Sequence, residues 1–311
     1  MHADSLLLHA PRTLAWSRTE LTLPGPGEVW VKTLAGAVSV GTERPLYRGD
    51  ARGAGARRYP LMTGYESLAE VVAVGERVSN SAAGLNSGDR VVATYGHRTA
   101  ACVRAESLMC VPEGVPNEVA LLAVLANDAS KGIGKLRLER DDAVLITGAG
   151  TIGLLALHRL RWLGFTDVDV VEPQALRRAL ATHLGARSVF APGTLPAGAT
   201  NAAGVECSSA QAAFATLQRQ LTPGGQLCIL ADGNVEPLTL TPEFHALELS
   251  VVASSDGEDY PGHAAAFFAH WLVTRSPLEE LFTQRVSARE LPNTFERMLD
   301  DPPVKVFVSY Q

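Results

Sequence analysis

The 311-residue sequence has few cysteines, no long hydrophobic run and no cluster of basic residues. Its four cysteines include no C-x-x-C pair, which argues against a disulfide framework and against a cysteine-based zinc motif. No apolar run approaches the ~20 residues that span a bilayer. The net charge of −6 makes nucleic acid and anionic membrane surfaces unfavourable partners. The N-terminus has neither a basic leader nor a small-residue cleavage site, so we expect a cytoplasmic protein.

What the sequence does contain changes in character midway. Residues 1–118 are rich in short β-type runs broken by glycine and proline, such as EVWVKTLAGAV and SLAEVVAVG. They also include a glycine- and arginine-containing segment, 47–59, that we interpret as a surface loop. From 119 to 275, strand-length and helix-length segments alternate, which predicts a parallel sheet covered by helices on both faces. We therefore predict an α/β protein of two domains, whose last segment, 276–311, does not continue the alternation.

The most specific motif lies after the apolar run DAVLITG. Gly148, Gly150 and Gly153 have the G-x-G-x-x-G spacing, and the following helix begins near Thr151 and Ile152. The first glycine allows a tight turn, the second lets the backbone approach a pyrophosphate, and the third lets the helix pack on the strand. The N–H groups of the helix N-terminus can bind the anion. This context predicts a dinucleotide site, with a purely structural βα turn as the alternative.

The next predicted strand ends in Glu172, at the distance from the glycines where a carboxylate can accept hydrogen bonds from the adenosine ribose. Such a carboxylate would repel the 2′-phosphate of NADP, which favours NAD. Arg177 and Arg178 could instead reach a phosphate, or they could lie on a solvated helix face. NAD is therefore the preferred cofactor and NADP is the alternative.

These motifs, in this order, resemble the medium-chain dehydrogenase/reductase superfamily. The stretches PGPGEVWVKTLAGAVSVGTE, GYESLAEVVAVGERV, GDRVVA, TGAGTIGLLAL and LTPGGQLCIL look like its landmarks. SVGTERPLYRG followed by YPLMTGYES looks closer still to the branch that contains bacteriochlorophyllide a dehydrogenase. The resemblance implies a GroES-like catalytic domain over 1–118, completed by 276–311, and a Rossmann domain over 119–275. It also implies a homodimer, with AFFAHW and LELSVVASS as candidate interface segments.

The resemblance also indicates that the catalytic zinc site of this family has been lost. Zinc-dependent relatives have a Cys-Gly-[Thr/Ser]-Asp stretch, a Gly-His-Glu stretch and a third ligand before the nucleotide fold. Here the first stretch reads VGTE at 40–43, the second reads GYE at 64–66, and the third position falls on or near Ala123. Valine and alanine cannot bind zinc, and tyrosine is an uncommon ligand for it. We therefore predict an enzyme that works without zinc.

Without a metal, a positioned O–H or N–H donor must stabilise or protonate the negative charge that develops on the substrate oxygen. Tyr65 takes the position of the lost histidine, and Thr42 matches the hydroxyl that contacts the substrate oxygen in alcohol dehydrogenases. His97 lies where relatives line the substrate pocket, and histidine ordinarily titrates near pH ~6.5, which suits proton exchange. Counting along the family pattern places Asn127 near the nicotinamide, with Asp128 beside it.

Each of these candidates also has a structural interpretation. Tyr65 could fill the vacated metal site as a packed aromatic, and Thr42 could be a turn hydroxyl. His97 could be an exposed loop histidine. Asn127 and Asp128 could cap a helix. Glu43 and Glu66, which are neighbours of these candidates in the sequence, could form salt bridges with Arg44, Arg57 or Arg58.

Three functional hypotheses follow. The leading one is a zinc-independent, NAD(P)-dependent oxidoreductase that interconverts a secondary alcohol and a ketone on a small-molecule substrate. The second is an enoyl or quinone-type reductase of the same superfamily, which would use NADPH. The third is a non-catalytic nucleotide-binding protein that kept the fold after it lost the metal.

Overall fold

The computed structural model describes residues 2–50, 58–78, 84–198, 200–231 and 236–310. Most of the loop expected over 47–59, including Arg57, lies outside these residues. In the described part of the chain, no helix is long and apolar enough to cross a membrane.

The strands follow one another along the chain as β1 (His2–Ala10), β2 (Thr13–Glu20), β3 (Glu28–Val38), β4 (Leu61–Met62), β5 (Glu66–Val74), β6 (Arg90–Ala93), β7 (Ala100–Arg104), β8 (Met109–Cys110), β9 (Val144–Thr147), β10 (Val168–Val171), β11 (Ser188–Phe190), β12 (Asn201–Glu206), β13 (Leu221–Ile229), β14 (Ser250–Ala253), β15 (Phe282–Ser287) and β16 (Lys305–Ser309).

The helices are α1 (Val40–Arg48), α2 (Asn117–Leu121), α3 (Ala123–Gly134), α4 (Thr151–Trp162), α5 (Ala175–His183), α6 (Gln211–Gln220), α7 (Pro242–Ala246), α8 (Tyr260–Thr274) and α9 (Leu291–Arg297). Short 3-10 helices cover Ala105–Ser107, Leu278–Leu281 and Ala288–Glu290.

Contacts divide the chain into two compact units. Unit 1 contains Met1–Val124, Asp259–Arg275 and Leu281–Gln311, and unit 2 contains Leu125–Glu258 and Ser276–Glu280. The β-rich first domain and the parallel-sheet second domain are thus confirmed as architectures, although their boundaries differ from the expected 118/119 and 275/276.

In unit 1, β3 is the central strand of a sheet ordered β15-β16-β3-β5-β6-β8, and β7 also pairs with β3. Every pair in this sheet is antiparallel except β15 with β16. A second sheet is ordered β2-β1-β4. Alternation of apolar residues along β3 and β5 places Val29, Val31, Ala69 and Val71 in one core cluster, because every second side chain faces the same side.

Helix α8 belongs to unit 1, whereas the sequence had placed it with the dinucleotide-binding domain. It packs on β8 and on the 3-10 helix Ala105–Ser107, and it buries Phe267, Phe268 and Trp271. The proposed interface role of AFFAHW therefore does not fit, because its aromatic side chains are already covered within the chain.

In unit 2, all strands are parallel and ordered β11-β10-β9-β12-β13-β14. The first strand of the unit, β9, lies in the middle, and the chain adds strands first on one side of it and then on the other. The order therefore reverses between β9 and β12. Ligands of doubly wound sheets bind beyond the carboxyl ends of the strands at such a switch point.

Candidate functional site

The glycine loop of unit 2 lies at the carboxyl end of β9, directly before α4. Gly148 has a φ of +88°, which favours glycine, and an added Cβ would lie 2.9 Å from the backbone carbon of Cys207. An added Cβ on Gly153 would lie 1.9 Å from the Gly148 carbonyl oxygen. The loop and the first turn of α4 therefore pack in direct backbone contact, as the motif predicts.

Gly150 has a different environment from the other two glycines. It is the N-cap of α4 and has no side chain with which to cap the helix. Within 4 Å, an added Cβ would meet only Nη1 of Arg177, at 3.8 Å. A pyrophosphate can therefore approach this backbone, and the first-turn N–H groups and the helix dipole favour an anion there. The cradle fits the phosphates of a dinucleotide.

Glu172 follows β10 and is buried, with 3% of its surface exposed. One carboxylate oxygen accepts the Ala149 N–H at 2.7 Å and the other accepts the Gln174 N–H at 2.8 Å. Glu172 thus links the end of β10 to the glycine loop, a structural role that the sequence did not reveal. Each oxygen of an ionised carboxylate has a further lone pair, so the group can still accept a ribose hydroxyl.

The two arginines of α5 differ in what they contact. Arg178 donates through Nη1 to the carbonyls of Glu172 and Pro173, at 3.0 and 2.6 Å, and so holds the turn after β10. Arg177 extends its guanidinium over Gly150. Of the pair, Arg177 is therefore the one whose charge lies beside the phosphate cradle.

Asn127 and Asp128 do not cap a helix. They lie within α3, where Asn127 Nδ2 donates to the Glu258 carbonyl at 2.9 Å and Asp128 Oδ1 accepts the Gly257 N–H at 2.7 Å. Lys131, one turn further along α3, donates to the Asp256 carbonyl. This face of α3 fixes the segment after β14, and the expected contact of Asn127 with a nicotinamide remains a prediction.

In unit 1, His97 and Glu43 form a buried pair. Each is 1% exposed, and His97 Nε2 lies 3.0 Å from Glu43 Oε2. The other carboxylate oxygen accepts the Ser39 N–H at 2.9 Å. His97 is therefore not an exposed loop histidine, and the partner of Glu43 is this histidine rather than Arg58. Since the imidazole is enclosed, the geometry favours an indirect role for it over direct contact with a substrate.

The Tyr65 phenol lies beside the first turn of α1, where it interacts with the hydroxyls of Ser39 and Thr42. Burial raises the pKa of Tyr65 well above its ordinary value, and the nearby charges of Glu66 and Glu43 raise it further. Hydrogen bonds to the two hydroxyls act in the opposite direction. The phenol is therefore protonated at neutral pH and can act as a donor.

A second buried ion pair lies next to Tyr65 in sequence. Lys305 Nζ lies 2.8 Å from both carboxylate oxygens of Glu66, and both side chains are fully buried. The Lys305 ammonium also lies 6.0 Å from the centre of the Phe282 ring. Lys305 was not among the residues predicted from the sequence, where its one signal is a lysine in the otherwise apolar strand VKVFVS.

The positions that the sequence resemblance assigns to zinc ligands are Val40, Tyr65 and Ala123, of which Val40 and Ala123 are buried. Among the residues that the structure describes, no three His, Cys, Asp or Glu side chains form a group that could hold a metal ion. Zinc independence itself remains a prediction from the sequence.

The chain is similar to one protein-family model, to a curated relative and to solved structures. Residues 25–133 match the alcohol dehydrogenase GroES-like domain. The 2-desacetyl-2-hydroxyethyl bacteriochlorophyllide A dehydrogenase of Cereibacter sphaeroides is 28% identical over 318 residues, which cover 97% of this chain and 96% of that protein.

Two solved structures share the fold. The 2R,3R-butanediol dehydrogenase of Bacillus subtilis has a TM-score of 0.84 at 19% identity, covering 99% of this chain and 100% of that one. The acetophenone reductase of Geotrichum candidum, solved in complex with NAD, has a TM-score of 0.83 at 17% identity, covering 99% and 97%. A GroES-like unit and a Rossmann unit in one chain define the medium-chain dehydrogenase/reductase architecture, and this chain shares that architecture and resembles that superfamily.

Proposed function

We propose that the chain is an NAD(P)-dependent oxidoreductase that interconverts a secondary alcohol and a ketone without zinc. The observation that carries the proposal is the protonated Tyr65 phenol, which interacts with two hydroxyls and to which the resemblance assigns the position of a lost zinc ligand. Similarity to a bacteriochlorophyllide dehydrogenase, a butanediol dehydrogenase and an acetophenone reductase supports chemistry at an alcohol or ketone carbon.

In this proposal, unit 2 binds the dinucleotide. The backbone of Gly148, Gly150 and Gly153 admits the pyrophosphate, and the N–H groups of Thr151 and Ile152 in the first turn of α4 bind it. The guanidinium of Arg177 adds a positive charge at the same place, and Asn127 is assigned to the nicotinamide end. When bound, the nicotinamide ring supplies or accepts the hydride.

Glu172 makes NAD the preferred cofactor. Its buried carboxylate is fixed by two backbone N–H groups, so it can accept from a ribose hydroxyl but would repel a 2′-phosphate at the same place. NADP is the alternative cofactor, because the Arg177 guanidinium is close enough to the glycine loop to attract additional phosphate charge. Titration with NADH and with NADPH, followed by the rise in melting temperature, distinguishes the two.

In the same proposal, residues of unit 1 transfer the proton. For ketone reduction, the Tyr65 phenol donates its proton to the carbonyl oxygen as negative charge develops there, and Thr42 supplies a second hydroxyl for orientation. In the oxidation direction the deprotonated oxygen of Tyr65 accepts the proton that leaves the alcohol hydroxyl, which restores the phenol. Since the pKa of Tyr65 lies well above 10.0, we expect its ionisation to leave the reduction rate constant through the neutral range and to lower it only in alkaline solution.

The experiment compares the wild type with Tyr65→Phe on a panel of secondary alcohols and ketones that includes 2,3-butanediol and acetophenone. We expect the phenylalanine variant to bind NADH normally and to lose roughly 10²- to 10⁴-fold in kcat, the range for one general acid. Turnover equal to the wild type would remove Tyr65 from the chemistry. Deuteride found β to a carbonyl of an enone, and never at a carbinol carbon, would favour the enoyl reductase alternative.

We further propose that a second copy of the chain pairs with β14 to form a homodimer. Among the described strands, β14 pairs only with β13 and ends the sheet of unit 2. Its sequence, SVVA, has no charge, and Val251 is 39% exposed. An uncharged edge strand offers a row of N–H and C=O groups to another chain, and a two-fold axis would pair β14 with its own copy.

A further inference from the structure

The buried pair His97–Glu43 is enclosed and joins the segment after β6 to α1. Glu43 belongs to the first turns of α1, and His97 follows β6. As a carboxylate Glu43 can only accept, so His97 Nε2 must be the donor of the bond between them. The same carboxylate receives the Ser39 N–H, so it ties the start of α1 to the imidazole.

The imidazole has almost no freedom to move. A Cβ added to Gly64 would lie 2.7 Å from ring atoms of His97, and one added to Gly36 would lie 3.8 Å from its Nδ1. The backbones of both glycines therefore pack against the ring. Phe295 contacts it edge-on, with ring centres 6.2 Å apart. The backbone of His97 is also fixed, since its N–H donates to Thr63 and its carbonyl accepts from Leu6. His97 is therefore a rigid anchor.

The anchored turn carries two hydroxyls that interact with Tyr65. Ser39 is the N-cap residue of α1, where a serine hydroxyl ordinarily caps the helix, but its side chain makes no capping bond here. The Glu43 carboxylate binds the N-cap N–H instead. This leaves the Ser39 hydroxyl for the Tyr65 phenol, which the Thr42 hydroxyl also meets.

From these contacts we infer that His97 and Glu43 are positioning residues: acting through the Glu43 carboxylate, the fixed imidazole holds Ser39 and Thr42 against the Tyr65 phenol. This inference rests on the proposed function, because Tyr65 is the proton donor of that proposal. It replaces direct proton exchange by His97 and adds Ser39 to the residues that orient the phenol.

The test uses His97→Gln and His97→Leu in the full-length protein. A glutamine can place an N–H donor near the position of Nε2, whereas leucine leaves the buried Glu43 carboxylate without it. The first readout needs no substrate: amide hydrogen exchange of the peptide that contains Ser39–Glu43. We expect faster exchange there in His97→Leu than in the wild type, wild-type exchange in His97→Gln, and no change in β6 (Arg90–Ala93).

The second readout is turnover of the best substrate found among 2,3-butanediol, acetophenone and the related panel compounds. We expect kcat to fall roughly 10- to 100-fold in His97→Leu with little change in KM, because a displaced donor affects the reacting geometry more than binding. His97→Gln should recover most of kcat, and its pH profile should keep the shape of the wild type. Val91→Ala, in a core cluster of which none of these residues is a member, serves as a control for loss of stability alone.

One result overturns the inference: both variants lose kcat equally, the exchange of Ser39–Glu43 stays unchanged, and a limb of the pH profile disappears. The imidazole would then transfer the proton itself. The inference is also overturned if His97→Leu exchanges and turns over like the wild type. If the wild type turns over no panel compound, the proposed function is contradicted. The hydrogen-exchange measurement still tests the link between His97 and α1.

Discussion

Gly64 sits directly before the candidate donor Tyr65 and against the anchor His97. Its φ of +79° lies in the left-handed region, and an added Cβ would meet the imidazole at 2.7 Å. Glycine is therefore needed there for two separate reasons, backbone conformation and space. Gly27 allows the two reasons to be tested separately, because its φ of +78° also favours glycine but an added Cβ would meet nothing within 4 Å.

We expect Gly27→Ala to lower the free energy of unfolding by about 1–2 kcal/mol, the cost of a left-handed alanine. Gly64→Ala should cost a further ~1–3 kcal/mol, because the imidazole has to shift in a packed environment. Urea unfolding of both variants measures the difference. Equal losses for the two substitutions would show that the contact between Gly64 and His97 does not constrain the fold.

Single residues also show what the sequence could not predict about the site. Tyr65, Thr42 and His97 were recognised as candidates by their places in a family pattern, and the structure puts Tyr65 and Thr42 together. Their partners were not foreseen, since His97 meets Glu43 across 54 positions and Lys305 meets Glu66 across 239. Local spacing carries no information about such pairs, because the strand order of the sheet creates them.

At the scale of elements, the link between strand β9 and helix α4 is the most constrained part of unit 2. Gly153 lies in the first turn of α4, and an added Cβ would lie 1.9 Å from the carbonyl oxygen of Gly148. Backbone cannot move aside as a flexible side chain can. A larger residue would therefore have to push the helix away from the glycine loop, and the N–H groups that we propose to bind the phosphates would move with it.

Gly153→Ala should consequently destabilise the protein by several kcal/mol and weaken NADH binding at least tenfold. Gly134→Ala is the control, because Gly134 is also a helical glycine of unit 2 but an added Cβ there meets nothing within 4 Å. We expect that control to be neutral or slightly stabilising, since alanine has the higher helix propensity. Fluorescence titration with NADH and thermal melting measure both effects, and normal binding by Gly153→Ala would contradict the proposed cradle.

Elements were predictable where their pattern is local. The glycine spacing between an apolar run and a helix identified β9 and α4, and the alternation of strand and helix lengths identified the parallel sheet. Helix α8 was assigned to the wrong domain, because AFFAHW shows that a helix is apolar but not which sheet it covers. Its partners, β8 and Ala105–Ser107, are far away in sequence and were brought to it by the fold.

At the scale of the whole molecule, the remaining question is assembly, and the edge of unit 2 makes it testable. Val251 of β14 is 39% exposed and Val72 of β5 is 42% exposed, so the two valines are matched in residue type, secondary structure and exposure. They differ in position, because β14 ends its sheet whereas β5 lies between β3 and β6. A charge introduced at each position therefore distinguishes an edge effect from a general effect of surface charge.

If two copies pair through β14, Val251→Arg places two arginines near each other across the two-fold axis and removes apolar area from the interface. We expect this variant to shift from dimer to monomer in light scattering at micromolar concentration, with the free energy of unfolding of the chain otherwise little changed. Val72→Arg should keep the mass of the wild type. A wild type that is already monomeric would contradict the proposed homodimer. A Val251→Arg variant that stays dimeric would place the contact elsewhere than β14, because two like charges in a short uncharged strand pair lower the affinity.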